Sequence, residues 1–399
     1  TGGVNQREGT FVPATGEWVY THCVFDRDDA IKVYVNANLK NDEAYDAGNT
    51  NSVDTINGLE FADRSPGWEW NGRLDEIRIS NVMRTQAWVA AQYLSQGDRF
   101  NTFGGEEHYT HPAPAAWWNT GWQARRKLFI DNSNQAENLT NFPVLVALTS
   151  AEIDYAKTQN AGEDLRFVDA DGSTVLALEI EEWNESGTSY VWTKVPQIDL
   201  SSTADYIWMY YDNSGASDCE TDVNCPDAVN VWNADYEGVW HLEETAADEG
   251  TVADLHVDST SNTFDGDQSG NASVAGKLSV GQDFDGANDL IDLGNLLDGS
   301  PSEVTLSAWV YVDVSSTDPR IVCKSPTTSA TGHNACLLFD NGPDVLSFRV
   351  LAGGTGCSTL GSIKMLVDNW YHVAATYKTG EIKHYVNGEE DTWTTNAGT

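Results

Sequence analysis

The chain has 399 residues, 61 acids against 22 bases, a net charge of −39 and 40% hydrophobic content. That length holds two or three domains with ample core, and so negative a surface repels phosphate backbones and anionic lipid, which argues against nucleic acid as a partner. No run of about 18 apolar residues is present to span a membrane, and 34 Gly, 15 Trp and 15 Tyr lean toward an aromatic, turn-rich, all-β protein.

The acidity suits a chain kept soluble in salt, or one that binds divalent cations through carboxylates. The sequence opens Thr1-Gly2-Gly3, so the lack of a signal peptide carries no information about export. Cys219 and Cys225 flank a short loop, and Cys323 and Cys336 flank a predicted hairpin. Both spacings suit disulfides and an oxidising compartment; free buried thiols are the alternative. There is no Cys-x-x-Cys to suggest zinc.

In chain order, Trp18 to Phe25, the charged turn Asp26 to Asp29, and the alternating Ile31 to Asn36 predict a β-hairpin. Asn71-Gly72 predicts a turn, and Arg73 to Ser80 a strand. Thr85 caps a predicted helix through Gln96, with Trp88, Ala91 and Leu94 near helical spacing. Residues 104–116, with Pro112 and Pro114, read as a linker. From Trp117 to Asn213 the chain predicts at least five strands. These include Phe142 to Leu148, a hairpin of Asp164 to Val168 with Val175 to Trp183, Tyr190 to Pro196, and Ala204 to Tyr211.

Two resemblances follow from these runs. The Trp-led strand, the Tyr-Val-Asn hairpin, and then Asn71-Gly72-Arg73-Leu74-Asp75-Glu76-Ile77-Arg78-Ile79 with a short helix resemble the C-terminal half of a laminin-G-like jelly roll of the concanavalin A-like lectin/glucanase superfamily. Gly238-Val239-Trp240-His241-Leu242, Phe284-Asp285-Gly286-Ala287-Asn288-Asp289-Leu290, Val304 to Val310, Trp370 to Tyr377 and His384 to Gly388 resemble the front and middle of another. Trp117-Trp118 with Trp122, Pro143-Val144-Leu145-Val146, Glu179-Ile180-Glu181 with Trp183, and Val191-Trp192 are similar to an uncharacterised domain-of-unknown-function family, number 2341. Its members sit beside laminin-G-like domains in prokaryotic surface proteins.

The resemblances imply an all-β chain of antiparallel β-sandwiches: concanavalin A-like jelly rolls, each partial, around a central β-sandwich module. The divisions are 1–107, a linker at 108–116, the module at 117–237, and 238–399. Trp18 corresponds to Trp370 and Asn36 to Asn387, separations of 352 and 351, so the first hairpin is a second copy of the last. The strand missing from 238–399 is of the type that 1–105 supplies. The two ends therefore complement each other, within one chain if the linker and module let them meet, or head-to-tail between chains, and the 399-residue chain is expected to self-associate.

Site candidates are few. Glu179 and Glu181 share a strand face, as the paired carboxylates of a retaining glycosidase do, but they follow the central module's own pattern. No catalytic residue is assigned, and the reading is non-enzymatic. Asp258, Asn262 and Asp265 crowd one loop with the hard oxygens calcium takes. Asp75 shares parity with Ile77 and Ile79, points inward, and needs either backbone N–H partners or a cation. Trp68 and Trp70, in a turn-rich setting, are the expected exposed pair for stacking on sugars, with core packing as the alternative. His241 and His372 read as hydrogen-bonded structural residues. Asn138, Asn184 and Asn271 begin Asn-x-Ser/Thr sequons. The expected function is glycan binding or adhesion in a large extracellular or cell-surface protein, with glycans, other surface proteins and neighbouring repeats of the same chain as partners. The alternatives are accessory modules of a carbohydrate-active enzyme, or a structural spacer.

Overall fold

A computed structural model describes residues 21–25, 30–35, 38–44, 59–61, 70–110, 117–219, 221–222, 224–297, 302–313, 319–324, 335–340, 344–352, 355–378, 381–391 and 394–395. Its strands are antiparallel and form five sheets; among the described residues there is one α-helix.

The two partial jelly rolls share one sandwich. Asn71–Ser80, from the first third of the chain, pairs with Glu303–Val312 on one side and with Val280–Asp285 and Tyr236–Trp240 on the other. Trp370–Lys378, Glu381–Val386 and Glu389–Asp391 extend this eight-stranded sheet. The facing nine-stranded sheet takes Leu59–Phe61 between Leu290–Asp292 and Arg320–Lys324. The apolar core between them draws Phe61, Trp70, Leu74, Ile77 and Ile79 from the first segment, and Trp240, Leu306, Val310, Phe348 and Val373 from the second. The first hairpin pairs with neither of these sheets. Thr21–Phe25, Ala30–Val35 and Asn38–Ala44 form their own three-stranded meander. It has the same strand order as the meander from Trp370 to Asp391, of which the sequence makes it a copy.

Three local expectations change. Asn71-Gly72 is no turn but the start of a strand: Gly72 sits at φ +143°, and a Cβ there would come within 2.0 Å of the Tyr311 carbonyl oxygen. Asp75 does not share a face with Ile77 and Ile79. Glu76 has φ +53°, and Asp75 pairs with Trp309 while Arg78 pairs with Ser307, so two residues oppose Ala308 in a β-bulge. The bulge resets parity: Leu74, Ile77 and Ile79 face the core, while Asp75 and Arg78 face the central module. Finally, Val175 to Trp183 is not one strand. Val175–Leu176 pairs with Arg166–Asp169, whereas Leu178–Glu182 pairs with Ser189–Ile198 in the opposite sheet. The chain crosses at Ala177, whose carbonyl accepts from the Thr193 hydroxyl at 3.0 Å.

The central module packs a six-stranded sheet on the three-stranded sheet of Leu178–Glu182, Ser189–Ile198 and Leu139–Leu148. It begins earlier than the linker reading implies, because Asn101–Phe103 and Glu107–His108 already pair with Ala124–Ile130. Residues 111–116 lie outside the described residues. The helix Gln86–Gln96 starts where Thr85 Oγ1 accepts the Trp88 N–H at 3.2 Å. It wedges between the sandwiches. Trp88 and Ala91 enter the central core, while Val89 packs on Ala374 and Tyr385 of the jelly roll. Ser95 Oγ accepts from Leu145 N–H at 2.8 Å, and Gln92 donates to Ser307 at 3.0 Å.

Candidate functional site

Trp70 is fully buried in the jelly-roll core, which removes it as a sugar platform; Trp68 lies outside the described residues. Asp258 is also buried. Its carboxylate accepts the N–H groups of Val239, Thr260 and Phe264 at 3.0 Å each, and the Thr260 hydroxyl at 2.9 Å. Asp265 accepts the Asp258 N–H, and Asn262 donates to the Tyr236 and Glu237 carbonyls. The Asp258 and Asp265 carboxylates and the Asn262 amide thus organise the loop by hydrogen bonds to its backbone. Asp75 Oδ2 accepts Lys277 and Leu278 N–H at 2.6 and 2.9 Å, one of the two kinds of partner foreseen for it, while its Oδ1 is buried without a hydrogen-bond partner. Burial, then the charge of Glu76, holds it well above the usual carboxylate range. Cys219 is bonded to Cys225, and Cys323 to its cross-strand neighbour Cys336. Asn271 is fully buried and donates to Gln282 at 3.0 Å, so its sequon is closed in the folded chain.

Glu179 and Glu181 lie at a buried junction between the two sandwiches. Trp232 Nε1 donates to Glu179 at 2.6 Å, and Trp192 Nε1 donates to Glu181 at 2.7 Å. His241, from the jelly-roll side, sits 3.5 Å from Glu179, 3.4 Å from Glu181 and 2.7 Å from Glu76. Arg78 donates to Glu76 at 2.7 Å and lies between the rings of Trp192 and Trp232, 4.3 and 4.7 Å from their centroids. Burial alone would depress His241, but Glu76, Glu179 and Glu181 outweigh it and hold it well above the usual histidine value. Burial would raise Glu76, but His241 and then Arg78 bring it below its usual value. Burial, reinforced by Glu76, lifts Glu181 well above its own. The group is thus a closed, buried ion network, in which Glu76, Glu181 and His241 each bring one ligand-type atom within 4.8 Å of the other two. His372 is likewise structural, 3.3 Å from Gln92.

An open groove of about 540 Å³ lies on the central module, lined by Trp118, Asn119, Trp122, Ser173, Val175, Asp222 and Asn224. The Trp118 and Trp122 rings are 4.8 Å apart at 50°. Trp122 is fixed from behind by its Nε1 donating to the Asp164 carbonyl at 2.6 Å. The opposite wall is the loop tied by Cys219 and Cys225. There Asp222 accepts from Asn224 N–H and Nδ2, and from Arg166 Nη2, all at 3.0 Å. The Asn224 amide, then Arg166, keep its carboxylate below the usual range. Trp118 is half-buried and Trp122 buried behind it, whereas Asn119, Ser173 and Asn224 are exposed, so the Trp118 ring is the aromatic part that meets polar groups in the open. The Asp-x-Asn pattern between two cysteines is the signal in the sequence that marks this wall.

A family model described as the concanavalin A-like lectin/glucanases superfamily matches residues 1–90 and 285–399, together just over half of the chain. A second, described as a domain of unknown function (DUF2341), matches residues 161–232. No curated protein and no solved structure matches. Both segments of the first match enter the same sandwich, through Asn71–Ser80 and Glu303–Val312, and the second match carries the Ser173, Val175, Asp222 and Asn224 side of the groove.

Proposed function

Because the chain belongs to the concanavalin A-like lectin/glucanases superfamily, a setting that suits a carbohydrate-binding or structural module, we propose that it is a non-catalytic, glycan-binding segment of a large extracellular or cell-surface protein, and that the central module makes the sugar contact. The observation that carries this reading is the groove itself. Sugar rings present one apolar face and a rim of hydroxyls. Trp118, backed by the buried Trp122, offers an aromatic surface, and Asn119, Ser173, Asp222 and Asn224 offer donors and acceptors around it. The volume falls within the usual range for small-ligand sites. The non-catalytic reading is supported by the only carboxylate pair suggestive of a glycosidase in the sequence: Glu181 is 1% exposed, and both glutamates are already held by indole N–H groups. The two disulfides support an oxidising compartment, and no helix among the described residues is long and apolar enough to cross a membrane.

A glycan array probed with the 399-residue chain, alongside Trp118→Ala and Asn224→Ala, tests the proposal. Binding is expected for the native chain, with a loss of about tenfold or more in each variant and unchanged circular dichroism. Native-level binding by both variants would overturn the groove assignment. A blank array for the native chain would leave the structural spacer as the function.

A further inference from the structure

The groove shares one face of the six-stranded sheet with a cation that has no acid beside it. Val175, which lines the groove, pairs with Val168, Val168 with Trp208, and Trp208 with Lys127. Residues directly opposite each other share a sheet face, so this row leads from the groove to Lys127. At about 4.8 Å per strand step, the row is about 14 Å long. A ladder of rings covers the same span. Trp118 to Tyr210, Tyr210 to Trp208, Trp208 to Tyr206 and Tyr206 to Phe129 are 5.6, 6.5, 5.9 and 6.1 Å apart. Two cations on this face already have acids: Arg125, 3.7 Å over Trp208, pairs with Glu107 at 2.8 Å, and Arg166 pairs with Asp222 at 3.0 Å. Lys127 differs. Its ammonium lies 4.1 Å over the Tyr206 ring and 4.9 Å over the Trp208 ring, and among the described residues no carboxylate or other acceptor pairs with it. With 61 acids to 22 bases in the chain, acids are the commonest charged neighbours, yet none serves this position. The space beside it is open. The Gly104 N–H donates to the Lys127 carbonyl at 2.8 Å, and a Cβ on the next residue, Gly105, would meet nothing within 4 Å. Phe129, at the end of the ladder, is 36% exposed.

Resting on the reading of the groove as a glycan site, we propose that the glycan is acidic and that Lys127 selects it, by pairing with the carboxylate of a uronic acid further along the sheet face. An ammonium held against ring faces keeps its N–H donors and has already lost part of its side-chain freedom, so taking a carboxylate orders it little further. Tyr206 and Phe129 beside it offer ring surface to the acidic sugar itself. The net charge of −39 repels a densely charged polyanion. The fit is therefore to a mostly neutral chain with one acid about 14 Å along the sheet from the groove wall, and not to a sulfated polymer.

Arrayed oligosaccharides that carry a single uronic acid, each beside its carboxyl-reduced counterpart, test it with the native 399-residue chain, Lys127→Gln and Trp118→Ala. The native chain is expected to bind acid forms about fivefold or more above the reduced ones, the scale of one partly exposed charge-assisted contact. Lys127→Gln loses that preference yet binds the reduced forms as the native chain does, which also shows that it is folded. Trp118→Ala loses both. Equal binding of acid and reduced forms by the native chain, or a preference kept in Lys127→Gln, overturns the role of Lys127, and the groove itself stands if Trp118→Ala still loses binding. A native chain that binds neither form overturns groove and selectivity together.

Discussion

Replacing His241 with alanine is the sharpest test of the junction between the sandwiches. The change removes the cation that faces Glu76 at 2.7 Å, Glu181 at 3.4 Å and Glu179 at 3.5 Å. Breaking a buried ion pair by deleting one partner costs about 3–5 kcal/mol. Glu76 keeps Arg78, so the lower end is expected, a fall of roughly 6 °C at about 2 °C per kcal/mol. Glu181→Gln should behave differently. Burial and Glu76 raise the Glu181 carboxyl, which lowers the cost of a neutral side chain there, and glutamine preserves an oxygen acceptor for Trp192 Nε1, so its melting temperature should stay within about 2 °C of native. The pH dependence follows from the directions of the shifts. His241 is raised, so its contribution is full below about 6.5 and is lost as pH rises through its folded value. Glu181 is also raised, so the folded state holds a proton that the unfolded state loses above about 4.3, and this too weakens with rising pH. Glu76 is lowered, so its contribution is present above about 4.3 and is lost only as pH falls through its folded value. The junction should therefore be strongest in mild acid. Thermal unfolding followed by tryptophan fluorescence reads this directly, since Trp192 and Trp232 line the network. A native His241→Ala melting temperature near pH 6, or native stability that climbs from pH 5 to 9, would refute the reasoning.

Two further outcomes separate structural from functional residues. Trp70→Ala should cost about 3–5 kcal/mol in denaturant unfolding and leave glycan affinity unchanged, because Trp70 is fully buried in the core; a stable variant with lost binding would restore it as a sugar contact. Asp258→Ala strips the acceptor from three backbone N–H groups and one hydroxyl. It should cost about 3 kcal/mol by the same measurement, equally with calcium or chelator present, and a cost that vanishes in chelator would return calcium to that loop.

Where local physics decides, the sequence was readable. Thr85 names the helix start because its side chain caps Trp88, and Cys323 and Cys336 name their hairpin because they sit directly opposite each other. Asp75 was misplaced because one extra residue at Glu76 reverses the alternation on which parity depends, and no residue type announces a bulge. Trp70 was misread because Ser65-Pro66-Gly67 suggests exposure, while the tertiary fold buries the indole. The groove and the ring ladder that leads from it to Lys127 join residues far apart in the chain, a pairing that composition and periodicity do not encode.

The shared sandwich changes what the two chain ends mean for each other. An open half-sandwich would expose strand edges and an apolar face, and so invite association between chains. Here Asn71–Ser80 is no edge, since it is paired along both sides by strands from beyond residue 235. Its inward side chains fill the same core as theirs. The helix that follows then covers the outer face of that sheet, with Gln96 accepting from Trp309 Nε1 at 3.0 Å. The central module leaves the sandwich after this helix and returns at Tyr236–Trp240, beside the same strand. Exit and entry are therefore tied within one sheet, and the ion network around His241 closes the gap between them. Complementation of this kind satisfies within one chain the edges that would otherwise drive head-to-tail polymers, and it ties the stability of the central module to that of the jelly roll.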